Sequence, residues 1–257
     1  MIKIVFFDVD GTLLKMGCKE LSDKTIYALN KLKENGIKIF IATGRPSSIA
    51  PYFNEVKFDG LLSFSGQLCE DEDGVIYKNN LNQKDVVKVY QNSKEMGIPI
   101  MLADQYSCAL NRHGEQLDQY LKLVNVDVEQ RDDFDQYVTH EIYQIVAAIP
   151  KEKEEVLLKG TTHLQSTRWC DIACDIIPTT GGKEIGIQKI LEHYGYSVEE
   201  SMSFGDGGND KTMLEYTGIG VAMGNAVDEV KSIADYTTLP VEQDGVYEAL
   251  KHFKLID

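Results

Sequence analysis

The chain has 257 residues, 43% hydrophobic and 26% charged, which is the make-up of an ordinary globular protein with room for one large domain or two modest ones. Its formal net charge of −15 argues against nucleic acid or an anionic membrane as partner, since both demand basic patches. No apolar run approaches the length of a membrane span, the N-terminal apolar stretch is too short for a signal-peptide core, and the five scattered cysteines lack the CxxC spacing of a zinc ribbon, so a reducing cytoplasm is the expected setting.

Residues 2–7 form a solid apolar run that predicts a strand buried on both faces. Helical spacing through Ile26, Leu29 and Leu32 predicts a helix over 22–35, with Ser22 as N-cap and Gly36 as the stop. Strands are predicted at 37–42 and 61–64. This β-α-β order implies a parallel sheet with right-handed crossovers. The end of the chain resumes the rhythm, with helices at 184–194, 211–216, 226–234 and 246–253 and strands at 201–204 and 219–222.

The middle reads differently. Helices are predicted at 84–96, 115–124 and 151–159, and strands at 98–103, 107–110, 142–149, 164–170 and 173–177. Polar stretches at 78–83 and 179–182 bracket this block. The expectation is an α/β protein: a Rossmann-like parallel-sheet core from residues 1–82 and 181–257, with an α/β cap, 83–180, inserted into it.

Ligands of open parallel sheets bind beyond the carboxyl ends of the strands. After the first strand comes DVDGT, with Asp8, Asp10, Gly11 and Thr12. After the second comes Thr43-Gly44-Arg45. After the strand ending near Phe204 comes GDGGND, with Asp206, Asn209 and Asp210. GGK places Lys183 at a helix start. Asp8 and Asp206 offer the hard oxygen ligands that Mg²⁺ prefers. Thr43 and Lys183 offer a hydroxyl and a positive charge for phosphoryl oxygens, and Gly11, Gly44 and Gly207 permit close backbone approach. A carboxylate in line with phosphorus can act as nucleophile, and its neighbour two residues on can handle the proton. Each motif alone fits an ordinary turn. Together, each at a strand end or helix start, they point to phosphoryl transfer.

The set DVDGT, ATGRP, GGK and GDGGND resembles the haloacid dehalogenase superfamily, and within it the Cof-type phosphatases with a large α/β cap. The resemblance implies Asp8 as nucleophile and Asp10 as general acid/base. It implies Mg²⁺ held by Asp8, Asp206 and the backbone carbonyl of Asp10, with Asp210 supporting the metal from behind. Thr43 and Lys183 would hold the phosphoryl group with Gly11, Thr12 and Gly44, Asn209 would orient phosphate or Lys183, and Arg45 would face the substrate between core and cap. It further implies a β-hairpin flap near 13–21 and an acid at Asp175 that meets the substrate. Trp169 and Asp171 are further candidates for sugar recognition. The expected function is hydrolysis of small phosphate monoesters, with sugar phosphates as the expected class, through an aspartyl-phosphate. A phosphomutase and a non-catalytic regulator that binds a phosphorylated metabolite are the alternatives. The oligomeric state stays open.

Overall fold

The computed structural model describes residues 1–168 and 170–257. In chain order the elements are β1 (Ile4–Phe7), α1 (Asp23–Glu34), β2 (Lys38–Ala42), β3 (Gly60–Ser63), β4 (Leu68–Asp71), β5 (Gly74–Lys78), α2 (Gln83–Met96), β6 (Ile100–Ala103), β7 (Cys108–Leu110), α3 (Glu115–Leu123), α4 (Phe134–Tyr137) and β8 (Gln144–Ala147). They continue with α5 (Glu154–Leu157), β9 (Leu164–Thr167), β10 (Cys174–Pro178), α6 (Lys183–Tyr194), β11 (Ser201–Gly205), α7 (Lys211–Tyr216), β12 (Ile219–Ala222), α8 (Asp228–Lys231), β13 (Tyr236–Thr237) and α9 (Gly245–His252).

The strands form two sheets. The first has eight strands in the order β13-β12-β11-β1-β2-β3-β4-β5, parallel from β13 to β3 and closed by the antiparallel hairpin β4-β5. Strand β1 lies between β11 and β2, parallel to both. Its four residues are all buried because the sheet is covered on both faces. Val5 and Phe7 turn to one side with Leu29 and Leu32 of α1 and Leu250 of α9. Ile4 and Phe6 turn to the other with Ile187, Ile190 and Leu191 of α6 and Leu214 of α7. Helix α1 starts where its sequence says it should, since the Ser22 side chain accepts a hydrogen bond from the Thr25 amide at 3.1 Å.

The second sheet is antiparallel, in the order β7-β6-β8-β10-β9. Ile100, Ile145 and Ile176 face α2. Met101, Leu110 and Val146 face Leu117, Tyr120 and Leu121 of α3. The two sheets touch through Phe64 stacked on Tyr143 at 5.2 Å, through Gln144 Nε2 donating to the Gly44 carbonyl at 3.0 Å, and through Ser47 Oγ donating to the Gln105 carbonyl at 2.8 Å. The architecture is the expected one: a parallel-rich core sheet with helices on both faces, and a separate α/β layer.

Several elements depart from the sequence reading. Residues 13–21 make turns and one isolated bridge, Asp10 to Leu14, with no hairpin among the described residues. The charged segment 151–159 is a single 3₁₀ turn, Lys151–Lys153, followed by the one-turn α5, too short to nucleate a longer helix after Pro150. The helix expected over 226–234 shrinks to α8, capped by no side chain. The hairpin β4-β5 was not foreseen, although Asp73-Gly74 is a turn signal and Asp71 Oδ1 accepts from the Asp73 amide at 2.9 Å. Trp169 lies outside the described residues.

Phe204 packs its ring on Phe7 at 5.0 Å, fully buried, two residues before the loop that carries Asp206. Replacing Phe204 by Ala should cost about 3–5 kcal/mol of stability. Urea denaturation measures it; a loss below 1 kcal/mol would show that this layer repacks freely.

Candidate active site

The catalytic candidates sit where β1, β2, β11 and α6 end or begin. The Asp8 amide is still tied to the sheet, donating to the Phe204 carbonyl at 3.0 Å. Lys183 opens α6 and is 1% exposed. Its Nζ donates to Asp8 Oδ1 at 2.7 Å and to Asp210 Oδ1 at 2.5 Å. The second Asp210 oxygen accepts from the amides of Asp206 and Gly207 at 2.9 and 2.8 Å. Both oxygens of Asp210 are thus engaged, and they fold the GDGGND loop around Lys183.

Asp206 is held from two further sides. Thr12 Oγ1 donates to its Oδ1 at 3.2 Å, and Asn225 Nδ2 donates to its Oδ2 at 3.2 Å. The same Asn225 amide reaches the Gly11 carbonyl at 2.9 Å, while its Oδ1 accepts from the Val241 amide at 2.9 Å. Gly11 has φ +88°, and a Cβ there would fall 2.2 Å from Asp206 Oδ2, so only glycine lets this turn and this carboxylate coexist. Thr43 Oγ1 accepts from the Arg45 amide at 3.1 Å, which leaves the hydroxyl proton available. Arg45 grips Asp10 with both arms, Nε to Oδ2 at 2.8 Å and Nη2 to Oδ1 at 2.6 Å.

A cavity of about 320 Å³ opens over these groups, lined by Asp8, Asp10, Thr43, Arg45, Asp206 and Asn209. Its upper wall is apolar and comes from the second sheet's side: Tyr120 and Leu123 of α3, and Val124. Burial raises the Asp8 carboxyl well above its ordinary range, and the nearby Asp210 charge pushes the same way against the pull of Lys183. Burial and Asp210 likewise lift Asp206 to about 7. Burial works against the Lys183 charge, yet the carboxylates of Asp210 and Asp8 outweigh it and raise its pKa. One ammonium does not balance this many carboxylates in a dry site.

Of the residues singled out from sequence, Asp8, Asp10, Thr43, Gly44, Arg45, Asp206, Asn209 and Asp210 line one cavity, and Lys183 lies directly beneath it. Two differ from expectation. Thr12 is buried with its hydroxyl on Asp206, so it positions that carboxylate instead of lining the cavity. Arg45 faces the cavity, but its guanidinium is committed to Asp10. Asp175 is 3% exposed, within reach of Gly44, and burial raises its carboxyl to about 7 against the charges of Lys183 and Arg168. Asp171 is exposed and lines no part of the cavity. Asn225, Gln144 and Tyr120 were not foreseen. Asn225 sits in the Gly-Asn turn after β12, itself a strand end, and that position was the available signal.

Comparison with known proteins settles the family. The sequence profile of the haloacid dehalogenase-like hydrolases matches residues 5–250. The chain belongs to the haloacid dehalogenase-like hydrolases. A Bacillus subtilis relative described as the putative phosphatase YkrA is 34% identical, covering 99% of this chain and 98% of that one. Another from Bacillus subtilis, the 5-amino-6-(5-phospho-D-ribitylamino)uracil phosphatase YitU, is 32% identical, covering 97% of each. The solved structure of BT4131, a sugar phosphatase of subclass IIB in this superfamily, superposes with a TM-score of 0.92 at 34% identity, covering 99% of this chain and all of that one. The protein is a phosphatase of this superfamily and of its Cof-type branch. Among the described residues, no helix is long and apolar enough to cross a membrane.

The haloacid dehalogenase-type site also fits a hard divalent cation. Ligand oxygens of Asp8, Asp206 and Asp210 lie within 4.8 Å of one another, and their charge exceeds what Lys183 offsets. Between pH 3.8 and about 7 the folded chain keeps a proton on Asp206 that the unfolded chain has lost, so this group's contribution to stability falls as pH rises through that window. A bound cation would replace that proton. The rise in Tm on adding Mg²⁺ should therefore be small at pH 5 and largest above pH 7. Thermal unfolding with Mg²⁺ and with chelator checks this; an equal rise at both pH values would contradict it.

Proposed function

We propose that the protein is a Mg²⁺-dependent phosphatase of small phosphate monoesters, with sugar phosphates as its substrate class, working through an aspartyl-phosphate. The observation that carries the reading is Lys183, buried and bonded at once to Asp8 and Asp210 beneath a cavity that also presents Thr43, Arg45 and Asp206. Residues 1–82 and 181–257 act as the catalytic core, and 83–180 as the cap that sets specificity. The free cysteines and acidic surface suit a cytoplasmic enzyme.

Asp8, Asp206 and the backbone carbonyl of Asp10 would hold Mg²⁺, which when bound supplies positive charge against phosphoryl oxygens. Lys183 fixes Asp8 Oδ1, leaving Oδ2 to attack phosphorus while the bond from phosphorus to the ester oxygen breaks. Once Arg45 releases it, Asp10 takes up a proton from solvent and gives it to the departing oxygen, then takes one from the water that attacks the aspartyl-phosphate, and the bond from Asp8 to phosphorus breaks to release phosphate. Thr43 and Lys183 hold the phosphoryl oxygens. Arg45 covers both oxygens of Asp10 in the resting site. It frees Asp10 for proton transfer by turning its guanidinium toward the substrate's charge. Tyr120, Leu123 and Val124 roof the cavity and exclude water from the reacting bond.

The resemblance to the sugar phosphatase BT4131 supports the substrate class. A phosphomutase would need a bisphosphate activator, and steady phosphate release without one separates the two.

Asp8→Asn should lower kcat by at least about a thousandfold on any substrate while leaving the fold intact. Phosphate release together with circular dichroism tests this, and substantial residual turnover would remove Asp8 as nucleophile. Excess chelator should stop turnover, and Ca²⁺ should restore it poorly because its coordination is larger and looser. Full activity in chelator would defeat the metal assignment.

A further inference from the structure

A second cavity, of about 300 Å³, adjoins the active cavity at Asn209, which lines both. Its walls are the turn after β3, the start of α6, the Gly208-Asn209 turn and strand β9, and Ser65, Thr167, Thr179 and Thr212 bring hydroxyl groups to it. Two of its lining residues hold buried polar atoms with no hydrogen-bond partner among the described residues: Ser65 Oγ and Glu184 Oε2. Ser65 is 2% exposed. An unpaired hydroxyl and an unpaired carboxylate oxygen are each costly to bury, so the cavity asks for one occupant that answers both.

Both residues press on Gly182. A Cβ there would strike both carboxyl oxygens of Glu184, and a Cβ on Gly66, next to Ser65, would strike the Gly182 carbonyl. The backbone fixes the Ser65 turn: its amide donates to the Thr43 carbonyl at 3.0 Å, and its carbonyl accepts from Gln67 Nε2 at 3.1 Å. Charge then decides what fits. Lys183 and Glu184 are the charged residues that line the cavity, and Lys183 spends its ammonium on Asp8 and Asp210. The start of α6 carries roughly half a positive elementary charge, which offsets only part of the Glu184 charge. A water molecule would pair the oxygens and leave that charge standing. An anion would be repelled by it. A divalent ion is better served by the cluster of Asp8, Asp206 and Asp210. One carboxylate among neutral oxygens suits a monovalent metal ion, whose hydration shell such oxygens can replace.

We propose that Ser65 and Glu184 form a binding site for a monovalent alkali cation, K⁺ being the probe, in the cavity between the start of α6 and β9. The ion ties the turn after β3 to the residue that follows Lys183, and so steadies the helix start that presents that lysine. The site does not depend on the phosphatase reading, and its test reads no turnover.

Thermal unfolding is followed in KCl and in tetramethylammonium chloride at equal concentration, with Mg²⁺ saturating in both so that the acidic cluster is not left for K⁺. Tetramethylammonium matches the charge but is too large and too shielded to coordinate oxygen. At about 0.2 M salt, K⁺ should raise Tm by about 3–6 °C over tetramethylammonium, as a Kd near one-tenth of that concentration gives. Glu184→Gln keeps the shape and removes the charge, and it should erase most of the excess. Ser65→Ala keeps every backbone hydrogen bond of the turn and should reduce it. No excess in the unmutated protein, or an excess unchanged in either variant, overturns the site. A second measurement needs no variant to fold. Crystals of the unmutated protein soaked in Tl⁺, which takes K⁺ sites and scatters anomalously, should show a peak against Ser65 Oγ and Glu184 Oε2. Absence of that peak overturns the site whatever the Tm values show.

Discussion

The bond from Lys183 to Asp8 and Asp210 is the constraint on which the rest of the site depends. An ammonium that is 1% exposed survives only because two carboxylates meet it at 2.7 and 2.5 Å. The bond joins three distant parts of the chain: the end of β1, the start of α6 and the loop after β11. Asp210 spends its second oxygen on two amides of that loop, so the shape of GDGGND and the position of Lys183 are set by one side chain. Asp8 is thereby fixed at the floor of the cavity.

Around this pair the site carries more negative charge than it offsets. Asp8, Asp206 and Asp210 lie close together, and Asp10 is answered separately by Arg45. The excess is what a divalent cation and a phosphoryl substrate need in combination. It also reconciles the site with a chain of net charge −15, whose overall field opposes anionic ligands. A cation bound at the acidic cluster, together with Lys183 and Arg45, would reverse that field locally, and the apolar wall of Tyr120, Leu123 and Val124 would strengthen the reversal by keeping water away.

The second sheet does more than cover the cavity. Tyr143 stacks on Phe64, which immediately precedes Ser65, and Gln144 bonds Gly44. Both contacts land on the turns that follow β2 and β3, the same turns that carry Thr43, Arg45 and Ser65. The packing of the second sheet therefore bears directly on the turns that line the cavity.

The sequence by itself determined the element types of the core, the buried character of β1 and the gathering of Asp8, Asp10, Thr43, Lys183 and Asp206 at one site. Those features are local: apolar runs, a capping Ser22, and motifs at strand ends, each readable from a few adjacent residues. Elements supported mainly by tertiary packing were read less well, as at 151–159 and 226–234, where periodicity suggested longer helices than formed. Only the tertiary structure decided partners. Thr12 turned to Asp206, Arg45 closed on Asp10, Asn225 bridged Gly11 and Asp206, and Ser65 was left with an unpaired hydroxyl beside Gly44. These pairings join residues far apart in the chain, and nothing in local spacing encodes which donor meets which acceptor once the sheet order has brought the strand ends together.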